Sequence, residues 1–282
     1  MVNNSIDYKY FDPETFQVEF CLFKTLDSTH KFALQQTWFD RMEPNHLIVV
    51  FAGEQLQGVG SHNRIWRSSG VDFHANLVFL TDKVMPFSQL AAITVCQFLN
   101  VFTNEKCVFQ LKWPNDIYVN HKKISGCLSY VRRWNEVYWV TIGIGINFNL
   151  NEYVIKEIDQ PVTSLKILFR NSEDYSLQEL SVCARDFADL FMRNLYWYRR
   201  VGAKQFFKDC RDYWMYLNDN VNIYDEDRRQ WVSGVFEDVS EEGCLLLKPL
   251  AGGECIRVMN GTKMHLADKQ LDSYKGFIDN LL

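Results

Sequence analysis

The sequence predicts an α+β chain, in which a mixed β-sheet with packed helices is followed by a small C-terminal β-barrel. Three observations predict it. Residues 47–51 run continuously apolar, a buried-strand signal. Leu180, Cys183, Ala184, Phe187, Phe191, Leu195 and Tyr198 recur at three and four, an amphipathic helix of about 24 residues. Beyond residue 217 the pattern changes to short strands at roughly ten-residue spacing, separated by turns such as Gly252-Gly253.

Taken in order, residues 1–17 are polar and read as a loose N-terminal segment, and 18–23 as a buried strand. Asp27, Ser28 and Thr29 then stand as N-cap candidates before a helix. Strands are predicted at 46–52, 75–80 and 137–142, and a buried helix over 89–102 with Ser88 as its cap. Thr163-Ser164 leads into a short helix through Phe169, Ser176 with Glu179 has capping-box spacing, and a second helix covers 203–215. Strands at 221–224, 231–236, 244–247 and 256–259 complete the chain. The resulting division is 1–217, then a small β-barrel at 218–270, then a tail at 271–282.

Bulk composition excludes several classes. With 282 residues, 47% of them apolar, the chain can bury a sizeable core. A net charge of −5 argues against a nonspecific nucleic-acid binder. None of the eight cysteines forms a Cys-x-x-Cys pair, and most lie in apolar runs, which predicts buried free thiols in a reducing cytosol. The N-terminus lacks a secretory pattern, and no apolar stretch approaches a membrane span. The expectation is a soluble cytoplasmic protein.

Three stretches carry chemistry. In the first, Lys112, Asp116 and Lys123 flank the β-forming run Ile117, Tyr118 and Val119, with a hairpin turn at Asn120-His121. Pro114 disfavours helix before it. A rigid ribbon holding an ammonium and a carboxylate suits phosphate-bearing intermediates: the cation meets anionic oxygens and the carboxylate meets an amine or metal. The same residues fit a solvated hairpin with surface lysines. In the second stretch, between Gly53 and Gly70, Gly58 and Gly60 allow close backbone approach, Arg64 and Arg67 suit phosphate, and Trp66 suits stacking. It lacks the third glycine of a dinucleotide fingerprint. In the third, glycine alternates with isoleucine at 143–146 before Asn147, which predicts a strand whose backbone is closely approached.

Occurring together and in this order, these stretches resemble the biotin protein ligases. Residues 112–126 are similar to that family's Lys-Trp-Pro-Asn-Asp signature, with its later Lys and Gly, almost residue for residue. The resemblance covers roughly residues 20–266. It implies a class II synthetase-like biotin/lipoate ligase catalytic domain with a small SH3-like barrel, and no DNA-binding helix-turn-helix of the repressor type. The implied activity is two-step. Biotin and Mg-ATP give biotinyl-5′-AMP and pyrophosphate, and the biotinyl group then passes to a lysine of the biotin carboxyl carrier domain of a carboxylase such as acetyl-CoA carboxylase.

The same resemblance assigns residues. Ser28, Thr29, Gln55, Lys123 and Gly126 would hold biotin. Gly58, Gly60, Arg64, Trp66, Lys112 and Asn147 would hold ATP or the adenylate. Lys123, Asp116 and Arg64 would carry catalysis, with Lys123 bridging carboxylate and phosphate oxygens and Asp116 orienting or deprotonating the carrier amine. Magnesium accompanies ATP, with no protein ligands assigned, and a homodimer through strand edges is one option for assembly. The chain departs from the family at His30, where the family usually has Asn. It departs again at Val59, Ser61 and His62, which replace three arginines. Each lost charge-assisted bond would be worth about 1.5–3 kcal/mol. Two other readings therefore stand beside the first: a ligase of the same fold for lipoate or another acyl acid, and a weakened binder of biotin, its adenylate or a carrier domain.

Overall fold

The computed structural model describes residues 16–35, 38, 42–170 and 173–267. The tail expected at 271–282 and most of the loose segment expected at 1–17 lie outside the described residues, but Gln17 already opens a strand. The chain runs β1 (Gln17–Leu26), α1 (Thr29–Ala33), β2 (His46–Gln55), β3 (Gly58–Val59), β4 (Ile65–Trp66), β5 (Phe73–Thr81) and α2 (Phe87–Phe102). There follow β6 (Gln110–Lys112), β7 (Asp116–Val119), β8 (Lys122–Trp134), β9 (Val137–Ile146), α3 (Glu152–Ile155), α4 (Leu165–Phe169), α5 (Leu177–Val201) and α6 (Ala203–Asp209). The last strands are β10 (Asn220–Asp225), β11 (Gln230–Val239), β12 (Leu245–Lys248), β13 (Ile256–Val258) and β14 (Gly261–Leu266).

Among the described residues, seven strands form one sheet in the order β1-β2-β5-β9-β8-β7-β6. Only β1 and β2 pair in parallel, so the sheet is mixed. Alternation along β5 separates its two faces. Phe73 and Phe79 point to the helical layer, where Phe73 meets Phe98 of α2 and Phe187 of α5, and Phe79 meets Phe87 and Phe191. Asn76 and His74 point the other way. Register carries that second face across the sheet, with Asn76 opposite Gly143 and then Leu128. One row along, His74 lies opposite Gly145, Gly126 and Asp116.

A second, five-stranded antiparallel sheet has the order β13-β12-β11-β10-β14. Trp113 fastens it to the first, its indole N–H donating to Gly243 O at 2.9 Å while Gln89 Nε2 donates to the same carbonyl at 3.3 Å. Gly243 has φ +85, and a Cβ there would meet Pro86 at 2.7 Å, so glycine is required at this junction.

Three expectations need correction. The helix expected over 203–215 ends at Asp209; Arg211–Tyr213 forms a 3-10 turn, and Trp214 is extended because Leu111 of β6 pairs with it and accepts from Met215 N. Ser88 does not cap α2. Pro86 occupies the N-cap, and the Ser88 hydroxyl bonds Ser129 Oγ at 2.8 Å instead. All eight cysteines are free, but Cys255 is exposed and Cys21 and Cys107 are only half-buried. The capping box of Ser176 and Glu179 forms as expected. Among the described residues, no helix is long and apolar enough to cross a membrane.

Candidate active site

A cavity of about 660 Å³ opens on the glycine-bearing face of the seven-stranded sheet. It brings together Lys123, Asp116, Gly126 and Asn147 with Thr29, Gln55, Gly60, Arg64 and Trp66. Ser28, Gly58 and Lys112 are not on its wall. Ser28 caps α1, accepting from Lys31 N. Lys112 lies 4.9 Å from the Tyr118 ring centroid. Burial, then the charge of Lys123, hold the Lys112 ammonium below its usual range, against the pull of Asp116.

The Lys123–Asp116 pair is built by a strand irregularity. Asp116 lies opposite Gly126, which puts both on one face. Lys123 is an odd number of residues from Gly126 and in a regular strand would point away. The register slips by one residue between Ile117 and Tyr118, so that Ser125 and Lys123 face consecutive residues of β7. This bulge at Ile124 turns Lys123 onto the Asp116 face. There its Nζ sits 2.6 Å from Asp116 Oδ1, and Lys123 is only 8% exposed. A Cβ on Gly126 would meet Asp116 Oδ1 at 3.3 Å and Lys123 Nζ at 3.4 Å, so the glycine leaves room for the pair. The backbone of Lys123 is fixed in turn by Pro161 O and Thr163 N, both at 2.9 Å.

The expected close approach to the glycine strand is made by the chain itself. Trp66 lies on β9 so tightly that a Cβ on Gly145 would come within 2.5 Å of its ring. The Lys123 ammonium stands 5.8 Å from the Trp66 centroid. Before it, the 3-10 turn at Ser61–Asn63 folds the loop back, with His62 at φ 55. Arg64 is exposed, and its Nε donates to Ser61 O at 3.2 Å. Asn115 Nδ2 reaches Ser61 Oγ at 3.2 Å, linking this loop to the Pro-Asn-Asp turn.

The Gly143 row is uncharged. Thr29 N donates to Gln55 Oε1 at 2.8 Å, and the Thr29 hydroxyl lies 3.1 Å from both Gln55 Oε1 and Asn76 Oδ1. Asn76 Nδ2 donates to Thr141 Oγ1 at 2.7 Å and lies 3.4 Å from His30 Nδ1. Burial lowers the His30 pKa. The cavity thus has a neutral hydrogen-bonding region one row from a cation–carboxylate pair.

Sequence reasoning missed several wall residues. Asn76 had a signal, a polar residue within the apolar run of β5, and it is fully buried. Trp231, Lys263 and His265 come from the second sheet and had none, because nothing local relates them to a hairpin more than 100 residues earlier. Among the described residues, no cluster of three or more His, Cys, Asp or Glu side chains could hold a metal.

Residues 22–147 match the model of the Biotin/lipoate A/B protein ligase family. It is 35% identical over 107 residues to "Bifunctional ligase/repressor BirA" of Bacillus spizizenii, covering 36% of this chain and 32% of that protein. It is 25% identical over 229 residues to "Biotin--[acetyl-CoA-carboxylase] ligase" of Mycobacterium tuberculosis, covering 78% and 79%. The first curated relatives are matched over only about a third to a half of their own length. Among solved structures, biotin protein ligase from Aquifex aeolicus in complex with biotin and ATP superposes with a TM-score of 0.66 at 23% identity, over 88% of this chain and 99% of that one. That likeness establishes the fold.

Proposed function

We propose that this protein is a biotin protein ligase, activating biotin with ATP and transferring it to a lysine of a carboxylase's carrier domain. The observation that carries the reading is the Lys123–Asp116 pair, held at 2.6 Å beside an uncharged region built from Thr29, Gln55 and Asn76. An acid with a neutral polar head and an anionic tail matches both ends. A purely apolar head would make no hydrogen bond to this polar region, which disfavours lipoate.

In the first step a carboxylate oxygen attacks the α-phosphorus of ATP, forming a C–O–P bond as the bond to pyrophosphate breaks. Lys123 stabilises the charge on the shared oxygens, a preorganised electrostatic contribution. Trp66 stacks on adenine once lifted from Gly145, Asn147 reads the adenine edge, and Gly60 lets the loop backbone approach. Arg64 swings from Ser61 O to the phosphates. Lys112 adds positive charge behind the site without touching the nucleotide, while Ser28 and Gly58 shape the first helix and the loop. Magnesium bound to ATP would offset the triphosphate charge. In the second step the carrier amine attacks the anhydride carbonyl, an amide bond forms and AMP leaves. Asp116 orients the amine and takes its proton.

The five-stranded sheet is read as the SH3-like barrel, with the division at residues 217 and 218. Trp231, Lys263 and His265 bring it to the cavity mouth. A second reading, a binder with weak turnover, rests on Val59, Ser61 and His62 replacing cations. The test is ligand-dependent pyrophosphate release with Mg-ATP: release with biotin but not with lipoate supports the ligase. Biotin binding without release supports the binder, and release with lipoate alone overturns the biotin assignment.

A further inference from the structure

The neutral region contains a residue pair that the activation chemistry does not use. Asn76 is fully buried on β5, and His30 lies on the first turn of α1, across from Gly143. A Cβ at Gly143 would meet Asn76 Oδ1 at 3.2 Å and His30 Nδ1 at 3.6 Å, so the glycine keeps this corner open.

The orientation of the Asn76 amide assigns the proton on the imidazole. Gln55 Oε1 accepts from the Thr29 backbone N–H, an obligatory donor, which sets the Gln55 amide. The Thr29 hydroxyl lies 3.1 Å from both Gln55 Oε1 and Asn76 Oδ1, and Asn76 is oriented with its Oδ1 towards it. The Asn76 amide group therefore points to Thr141 Oγ1 and His30 Nδ1. Because Asn76 Nδ2 can only donate, Nδ1 of His30 is the acceptor and Nε2 carries the hydrogen. No carboxylate takes part in this network, so nothing in it stabilises an imidazolium. Nε2 has no hydrogen-bond partner among the described residues, and His30 lines the cavity.

We propose that His30 determines head-group specificity. Its Nε2–H, oriented by Asn76 through Nδ1, donates to the carbonyl oxygen of a cyclic urea and rejects a head that presents hydrogens at that position. This rests on the biotin reading above and adds to it a donor from His30. Asn76 is a positioning residue: it sets the tautomer without touching the ligand.

The test is calorimetric binding of biotin and of its cyclic guanidine analogue, in which C=NH2+ replaces C=O, to the full chain. The wild type is expected to prefer biotin. His30→Leu should weaken biotin by about 5- to 100-fold and leave the analogue nearly unchanged, collapsing the preference. His30→Gln, whose Nε2 reaches the position of the imidazole Nε2, should restore biotin binding to within several-fold. Asn76→Leu frees the tautomer and should also narrow the preference. A purely structural role would weaken both ligands together, and that result, or biotin affinity unchanged in His30→Leu, overturns the assignment. If the wild type binds no biotin, the biotin reading falls and takes this inference with it. Biotin binding with an unaltered preference in the variants removes only the role of His30.

Discussion

Replacing Lys123 with alanine removes an ammonium that is 8% exposed and 2.6 Å from Asp116 Oδ1. Two effects can be separated. The Asp116 side chain keeps only about a quarter of its surface in solvent, so the carboxylate left without its partner should cost about 1–3 kcal/mol of stability. The activation step is affected more. A preorganised donor aimed at developing charge contributes about 2.7–4 kcal/mol, which corresponds to a fall of about 10²–10³-fold in pyrophosphate release. Lys123→Arg keeps the charge but brings a larger planar fork into the space that Gly126 leaves, so it should recover only part of the rate. The assay is biotin-dependent pyrophosphate release at saturating Mg-ATP, with thermal unfolding measured alongside. A folded Lys123→Ala protein that releases pyrophosphate within about threefold of the wild type would refute the reasoning, since that difference is under 1 kcal/mol of barrier.

Other outcomes follow from the packing and the buried charges. Gly145→Ala places a Cβ 2.5 Å from the Trp66 ring, which must move off β9; the overpacking should cost about 1–3 kcal/mol in denaturant unfolding and change ATP affinity, and an unchanged variant contradicts the close packing. Trp113→Phe deletes the indole donor to Gly243 O, but Gln89 still serves that carbonyl, so unfolding should show a loss of only about 1 kcal/mol. Burial pushes Asp72 up to about 7, against three backbone N–H groups that pull it down, and the same burial lowers His74 to about 4. Asp72 therefore contributes stability at low pH that is lost as pH rises from about 4 to 7, whereas the contribution of His74 is present above about 6.5 and lost as pH falls towards 4. The two oppose each other between about pH 4 and 6.5, so Asp72→Asn should make stability rise more steeply with pH across that window, by up to about 1.4 kcal/mol per unit. Denaturation profiles at pH 4.5 and 6.5 that match the wild type would contradict this.

Much of the scaffold is legible in the sequence because burial writes it there. Residues 47–51 are apolar on both faces because β2 lies between neighbouring strands with helices on one side and α1 on the other. Ser176 and Glu179 announce the start of α5 because capping is local. The site is legible in its parts and not in its assembly. Lys123 and Asp116 are close in sequence, but only the bulge at Ile124 places them on one face, and nothing in the residue types marks a register slip. Trp113 reads as part of a chemical signature, yet its indole ties the second sheet to the first through Gly243. Ser28 has the right composition for a ligand contact and is occupied as a cap. α6 stops short because pairing of Trp214 with Leu111 overrides a helical pattern, a tertiary effect that periodicity does not report.

The central claim is that the cavity activates biotin and hands it to a protein lysine. The most direct measurement incubates the full chain with Mg-ATP, labelled biotin and a purified carrier domain, and follows pyrophosphate and labelled carrier together. The account predicts stoichiometric pyrophosphate and carrier label, both dependent on biotin and abolished or strongly reduced by Lys123→Ala. Labelled biotin bound without pyrophosphate, and a carrier left unlabelled, would contradict it.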